Sequence, residues 1–421
     1  MTSSHRRRNI VLAILAVLII AAVVAVVVIR QNGTVTYQLL AQDTIINADL
    51  WSSQPEIFSA GYGFDNIIGV DGGETEVRAT GGTWNTVTCS NGAEPPRSAL
   101  TSSATKQNVT AVFDHTADHA DGLPVVFSYP ILPSTLDNTD FKVTLNTGET
   151  LTPDAASIFP NFEYNERHVA VIFGQFGNRL LPGEDGARYT IRVEVVADNT
   201  PLMLVGPNGL VSAVGLFKDS DKSPYESGPY LVGAKLNRIS TEGEGGPKFL
   251  SANLPNDGKA LYGDAAQYRL RVFTSGGFSP DGVQGVRPDE YERFFRIHAT
   301  GTDGENMLLT KVGANYAVEG GNIRVLGLAD LGLAESSTPY DDCYVEDHDN
   351  YIDIILAGDE TAMRHITAVE IPAKGDYDPF YNPGGPGNNP TPNIRYTAPG
   401  PADLEPVIIA LDDPMTVSYG N

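Results

Sequence analysis

Two hydrophobic patterns divide the chain. Residues 10–29 are apolar without a break and carry no charge, Pro or Gly. A helix of that length rises about 30 Å, enough to cross a bilayer core. Beyond residue 30 the pattern changes to short runs in which apolar and polar residues alternate, the period of a strand with one buried face. Phe141, Val143 and Leu145 alternate with Lys142 and Thr144. Tyr189, Ile191, Val193 and Val195 alternate with Thr190, Arg192 and Glu194. Residues 124–128 and 168–173 read as buried strands, and Gly206-Pro207-Asn208-Gly209 marks a hairpin between 201–205 and 210–216. A second set of strands follows at 230–239, 267–273, 294–298, 323–328 and 351–356, with one helical turn at 288–293. No long amphipathic helix interrupts them. The pattern predicts an all-β ectodomain, tandem β-sandwiches behind one N-terminal transmembrane helix.

Turn-rich and linker-like stretches set the boundaries. Residues 1–9 form a basic tail and 10–29 the membrane segment. Residues 30–108 are polar and turn-rich, with alternation at 75–80 and 83–88. They read as a stalk, a small β region or an extension packed on the next domain, closed by a linker at 91–107. The first sandwich spans 109–227 and the second 228–373, separated by the Ser/Pro/Asp stretch 218–229. The order of strand, Pro-containing excursion, Phe-led strand and Thr/Gly/Glu turn recurs in both, which suggests a repeat. Residues 374–421 are rich in Pro and Gly and predict a partly disordered tail whose one apolar patch, 406–411, can add an edge strand.

Charge sets the orientation. Arg6, Arg7 and Arg8 precede the apolar run and Arg30 follows it, so the denser basic side stays cytoplasmic and the bulk of the chain lies outside. A secretory h-region is about 7–15 residues and ends at a small-residue cleavage site. This run is longer, and its one small-residue pattern, Ala21-Ala22 to Ala25, lies inside it, so it reads as an uncleaved signal-anchor, with a cleaved signal peptide as the alternative; either way the rest of the chain is exported. Four of the 28 basic residues flank the run, leaving 24 against 52 acids in the rest of the chain, a net of −28. That balance excludes nucleic-acid binding and docking on anionic lipid, both of which need positive surface. Gly (43) and Pro (28) make up about 17% of residues, above the usual 12% or so, which again favours strands and turns.

Cys89 and Cys343 are too few for a disulfide scaffold. Outside the membrane they can close one bridge between the N-terminal part and the last domain, or remain two thiols. Asp341, Asp342, Glu346, Asp347, Asp349 and Asp353 crowd one stretch. Carboxylates at such intervals converge on Ca²⁺ when they sit in a loop. An EF-hand would continue with a third Asp or Asn and then Gly, where this chain has Tyr351 and Ile352. The stretch is therefore either a different calcium loop, with Asp341, Asp342, Asp347 and Asp349 as ligands, or a solvated acidic loop. His115 and His119 have the i, i+4 spacing of a zinc-binding helix, but Thr116 stands where the zincin pattern needs Glu, which favours a solvated loop. Gly277-Phe278-Ser279-Pro280-Asp281 lacks the closing Gly of a nucleophile elbow, and Pro280 removes an oxyanion-hole N–H.

The stretch 126–136, Val126-Phe127-Ser128-Tyr129-Pro130 followed by Leu132-Pro133-Ser134-Thr135-Leu136, leads into Phe141-Lys142-Val143. With Leu181-Pro182-Gly183 and Tyr189-Thr190-Ile191 it resembles the Ig-like repeats of bacterial S-layer and cell-surface proteins. The resemblance covers roughly residues 111–196. The corresponding part of the second domain replaces the Pro-Ser-Thr turn with residues 279–288. The resemblance implies a surface module and carries no catalytic residues. The expected function is a membrane-anchored, extracytoplasmic protein that is structural or binds a cell-envelope protein or glycan. The alternative is an extracellular, carbohydrate-active hydrolase with loop carboxylates. A pair of acids at the mouth of a deep cleft distinguishes the hydrolase.

Overall fold

The computed structural model describes residues 38–420, apart from 39, 62, 96, 162, 221–227, 241–257, 331–332, 335–339, 341, 346–349 and 382–401. Residues 10–29, read as the anchor, lie outside the described residues, as do Asp341, Asp347 and Asp349. Among the described residues no helix is long and apolar enough to cross a membrane.

The described chain is all-β in character. Its first unit is a sandwich of two sheets. One orders Ile57–Ala60, Ala120–Phe127, Val169–Gly174 and Ala155–Ser157, with Phe64–Ile68 also paired to Ala120–Phe127. The other orders Phe217–Asp219, Thr190–Val195, Phe141–Leu145 and Thr150–Leu151. The alternation at 141–145 is realised as predicted, with Phe141, Val143 and Leu145 buried and Lys142 and Thr144 half-buried. They meet Leu123, Val125, Phe127 and Ile172 of the facing sheet in one core.

Residues before 109 are an extension of this unit, because Ile57–Ala60 and Phe64–Ile68 complete its first sheet. Two local expectations there are corrected. Residues 75–80 are not a strand: Gly73–Ala79 is a helix that buries only Val77 and is braced by a Glu74–Arg78 pair at 3.0 Å. An alternation that brings one apolar side chain to the core fits a helical turn equally well. The expected linker at 91–107 contains the strand Ala99–Thr101, paired with Trp84–Thr86, and the start of the helix Lys106–Phe113. Thr105 caps that helix by accepting the Asn108 N–H at 3.2 Å.

The second unit is not a two-sheet sandwich. It is one nine-stranded sheet, ordered Asn306–Leu309, Arg296–Thr300, Ile366–Ile371, Asp403–Ile409, Leu231–Arg238, Tyr268–Thr274, Tyr351–Gly358, Gly321–Ala329 and Tyr316–Val318. Bridges between Gly301 and Val318 and between Val312 and Val325 bring its two ends together, so the sheet rolls around its own core of Leu236, Leu270, Ile297, Val325, Ile354 and Val369. Register shifts supply the bending. At one of them Gly327 sits at φ 150°, where a Cβ would fall 2.2 Å from Tyr262 Oη. The two units thus differ in strand order, and the suggested repeat is not seen. The helical turn expected at 288–293 forms at Tyr291–Phe294.

The tail departs furthest from its sequence reading. Asp403–Ile409 is an interior strand, parallel to Leu231–Arg238 and antiparallel to Ile366–Ile371, not an edge. Thr416–Tyr419 then pairs with Ile45–Asp49 at the start of the described chain. The last strands therefore tie both units together.

Candidate functional site

The stretches singled out for metal chemistry do not converge. The helix Lys106–Phe113 ends at Asp114 in the left-handed conformation, so His115 and His119 share no helical face. His115 Nδ1 lies 3.0 Å from the Phe113 carbonyl, and His119 Nδ1 lies 3.1 Å from Asp118 Oδ1. Asp342 accepts a hydrogen bond from Thr88 Oγ1 at 3.2 Å, while Asp341, Asp347 and Asp349 lie outside the described residues. Among the described residues no three or more His, Cys, Asp or Glu side chains are placed to hold a metal ion. The Ser279 hydroxyl is held inside its own turn, donating to the Gln284 carbonyl at 2.8 Å. Cys89 and Cys343 are joined in a disulfide with Cα atoms 5.0 Å apart.

What the fold does assemble lies between the units. Alternation on the rolled sheet sends Leu236, Leu270 and Ile354 into its own core and turns Lys235, Arg271 and Asp353 to the outer face. These three are directly opposite one another on adjacent strands. The first unit covers them, so they are buried. Arg271 binds Asp353 through Nε at 2.8 Å and Nη2 at 3.0 Å. It also meets Glu166 at 2.9 Å and Asp330. Asp49, from the strand that pairs with the C-terminus, receives Lys235 at 2.6 Å and Arg269 at 3.1 Å. Lys235 donates further to the carbonyls of Pro414 and Met415 at 3.2 and 2.9 Å. Burial alone would raise the Asp49 carboxyl, but Lys235, Arg269 and Arg271 outweigh it and hold it well below the usual carboxylate range. Burial pushes the Lys235 ammonium down, opposed by Asp49.

His168 belongs to the same layer. Its Nε2 lies 2.6 Å from the Asp49 carbonyl and its Nδ1 lies 2.7 Å from Tyr351 Oη. A carbonyl only accepts, so Nε2 carries the proton and Nδ1 accepts from the tyrosine hydroxyl, which is the neutral imidazole. Burial lowers its pKa to about 4. Beside it Trp51 stacks on Phe273 at 5.1 Å, and Phe273 on Tyr351 at 4.4 Å. Gly233 makes room, since a Cβ there would come 2.7 Å from the Trp51 ring.

Past this aromatic layer the junction opens into a cleft of about 700 Å³. Its origin is legible in the backbone. Pro124 lies inside the strand Ala120–Phe127 and has no N–H to give a neighbour. The neighbouring chain accordingly pairs on either side of it, Ala60 with Val125 and Phe64 with Gly122, and leaves the ladder in between. Gly61, Gly63 and Pro124 line the cleft. One wall is the helix Lys106–Phe113, with Val109, Val112 and Phe113. Phe159, Val171 and Phe173 come from the sandwich, and Phe278 and Val283 from the rolled unit. The hairpin Trp84–Thr86 and Ala99–Thr101 closes the side, where Val87, Leu100, Val283 and Cys343 pack with Cys89. The disulfide thereby clips that wall to the second unit.

The polar groups of the lining are mostly spent on the protein itself. Asn350 donates to the Thr274 carbonyl at 3.0 Å, the Ser275 hydroxyl accepts from the Tyr230 N–H at 3.0 Å, and Tyr230 Oη donates to Ser59 at 3.2 Å. Asp219 pairs with Arg192 at 3.5 Å. Arg97 and Lys218 also line the cleft, and among the described residues neither side chain has a hydrogen-bond or ion-pair partner. No single motif marks this site in the sequence. The available signal was Pro124 within a strand-like run, facing glycines at 61 and 63. The buried charges had a comparable signal, ionic residues set inside apolar runs: Lys235 within 230–239, Arg269 and Arg271 within 267–273, and Asp353 within 351–356.

No protein-family model, curated protein or solved structure matches the chain.

Proposed function

We propose that the chain is a membrane-anchored, extracytoplasmic binding protein whose cleft between the two β units takes a small apolar ligand. The observation that carries this reading is the cleft of about 700 Å³, walled by Val109, Phe113, Phe159, Val171, Phe173 and Phe278. Ligand pockets typically measure about 300–1,000 Å³ and are mostly apolar with a few placed polar groups. Anchoring through residues 10–29, with the bulk of the chain outside, rests on the apolar run and its flanking arginines. A disulfide persists in oxidising compartments, so the Cys89–Cys343 bridge supports export. The sandwich of the first unit is compatible with the Ig-like resemblance.

The hydrolase reading requires two carboxylates flanking the cleft. Among the described residues that line it, Asp219 is the one carboxylate, and it is engaged by Arg192. The binding reading is therefore preferred. The test is photolabelling of the full chain in lipid nanodiscs with diazirine-bearing hexadecanol, mapped by peptide mass spectrometry. Label is expected on residues 99–113 and 171–173, and its loss is expected in Ala111→Trp, which puts a large ring where Ala111 lines the cleft. Label confined to residues 10–29 in the wild-type chain would contradict the reading.

A further inference from the structure

We propose that the cleft selects a single-chain amphiphile with an anionic carboxylate head, its chain among the phenylalanines and its head between Arg97 and Lys218. This rests on the binding reading above and adds the head group to it.

Beyond the anchor, acids outnumber bases by 28. In such a chain a surface cation readily finds a carboxylate, and the described ones generally have. Lys106 is paired with Asp118, Lys142 with Glu194, Arg188 with Glu149, Lys311 with Glu292 and Arg364 with Asp412. Arg97, Lys218, Arg324 and Lys374 depart from this, and of these Arg97 and Lys218 border the same apolar cavity. They come from different parts of the chain, one from the approach to Ala99–Thr101 and the other from Phe217–Asp219. The one carboxylate among the described lining residues is already held by Arg192. The site thus offers two uncompensated cations and a long apolar interior whose backbone and hydroxyl groups are largely satisfied. A neutral chain would leave both cations unused. Among the described lining residues a divalent cation would find one carboxylate, Asp219, already held by Arg192, and a sugar would find few free hydrogen-bonding groups. A carboxylate supplies acceptor oxygens for charge-assisted hydrogen bonds from a guanidinium and an ammonium.

The experiment compares diazirine-bearing hexadecanoate with diazirine-bearing hexadecanol on the full chain in nanodiscs of zwitterionic lipid, at equal concentration. Hexadecanoate is expected to label residues 99–113 about tenfold more strongly, as charge-assisted hydrogen bonds should allow. The double variant Arg97→Gln/Lys218→Gln is expected to erase that advantage while retaining hexadecanol labelling. Arg324→Gln removes a cation that does not line the cleft and is expected to leave the advantage intact. Equal labelling by the two probes would overturn the head-group assignment and leave the apolar cleft standing. Absence of cleft labelling by either would overturn both. Loss of hexadecanoate labelling in discs containing phosphatidylglycerol would overturn the single-chain ligand in favour of a bilayer lipid.

Discussion

The junction between the two units has two sides of opposite chemistry. On one side Asp49, Lys235, Arg271, Asp330 and Asp353 are buried and engaged with one another. On the other, apolar walls stand apart and Arg97 and Lys218 face a cavity without partners among the described residues. The same strands serve both, since Tyr268–Thr274 carries Arg271 at its middle and leads at its end to Ser275 and Gly276 in the cleft. Buried ion pairs are weak sources of net stability but strongly penalise any arrangement that separates them. The ionic side therefore fixes how the units meet, which keeps the cleft side open to a defined width. One side is structure and the other is available for a ligand.

The sharpest way to break this contrast is to remove one charge from the closed side. Arg271→Met leaves Asp353, Asp330 and Glu166 buried without their guanidinium, and a loss of about 3–5 kcal/mol is expected in urea unfolding. Replacing both cysteines by serine opens a link that spans a sequence separation of 254, and about 2–5 kcal/mol should go with it. In that variant the cleft wall at 84–101 is expected to become more protease-sensitive while the ionic side keeps its protection.

A titration sharpens the same contrast. The imidazole of His168 is held neutral when folded, with a pKa of about 4 against 6.5 for a free histidine. Between those values the unfolded chain binds a proton that the folded chain does not, so stability is full above pH 6.5 and falls as pH drops toward 4. The expected loss is on the order of 3 kcal/mol. His168→Gln should flatten that part of the curve, which a series of urea midpoints from pH 4 to 7 would detect. The smallest stability effect is expected on the open side. Ala111→Trp should shift the midpoint by no more than about 0.5 kcal/mol, because it grows into empty space, while it abolishes cleft labelling.

Strands with one buried face were readable because a period of two needs no partner to be recognised. Phe141, Val143 and Leu145 show this directly. What covers the other face was not readable. Lys235, Arg271 and Asp353 sit at the polar positions of their strands, where alternation alone points them to solvent, and only the packing of the first unit turns them into a buried network. The roll of the second unit was likewise hidden. Its closure depends on Asp403–Ile409 entering between Ile366–Ile371 and Leu231–Arg238; the apolar patch 406–411 marked a strand, but nothing local marked an interior place between those neighbours. The cleft draws on segments near residues 61, 97–113, 171, 218 and 275–283, so no short motif could announce it. Pro124 was the one local clue, since proline in an interior strand requires the neighbouring chain to leave the ladder.

Amide hydrogen exchange on the full chain in nanodiscs, with and without hexadecanoate, tests the division of the junction most directly. Slower exchange is expected at Ala99–Thr101, Lys106–Phe113 and Ala120–Phe127, with no change at Leu231–Arg238 or around Arg271. Exchange unchanged at the helix Lys106–Phe113, or slowed equally on both sides, would contradict it.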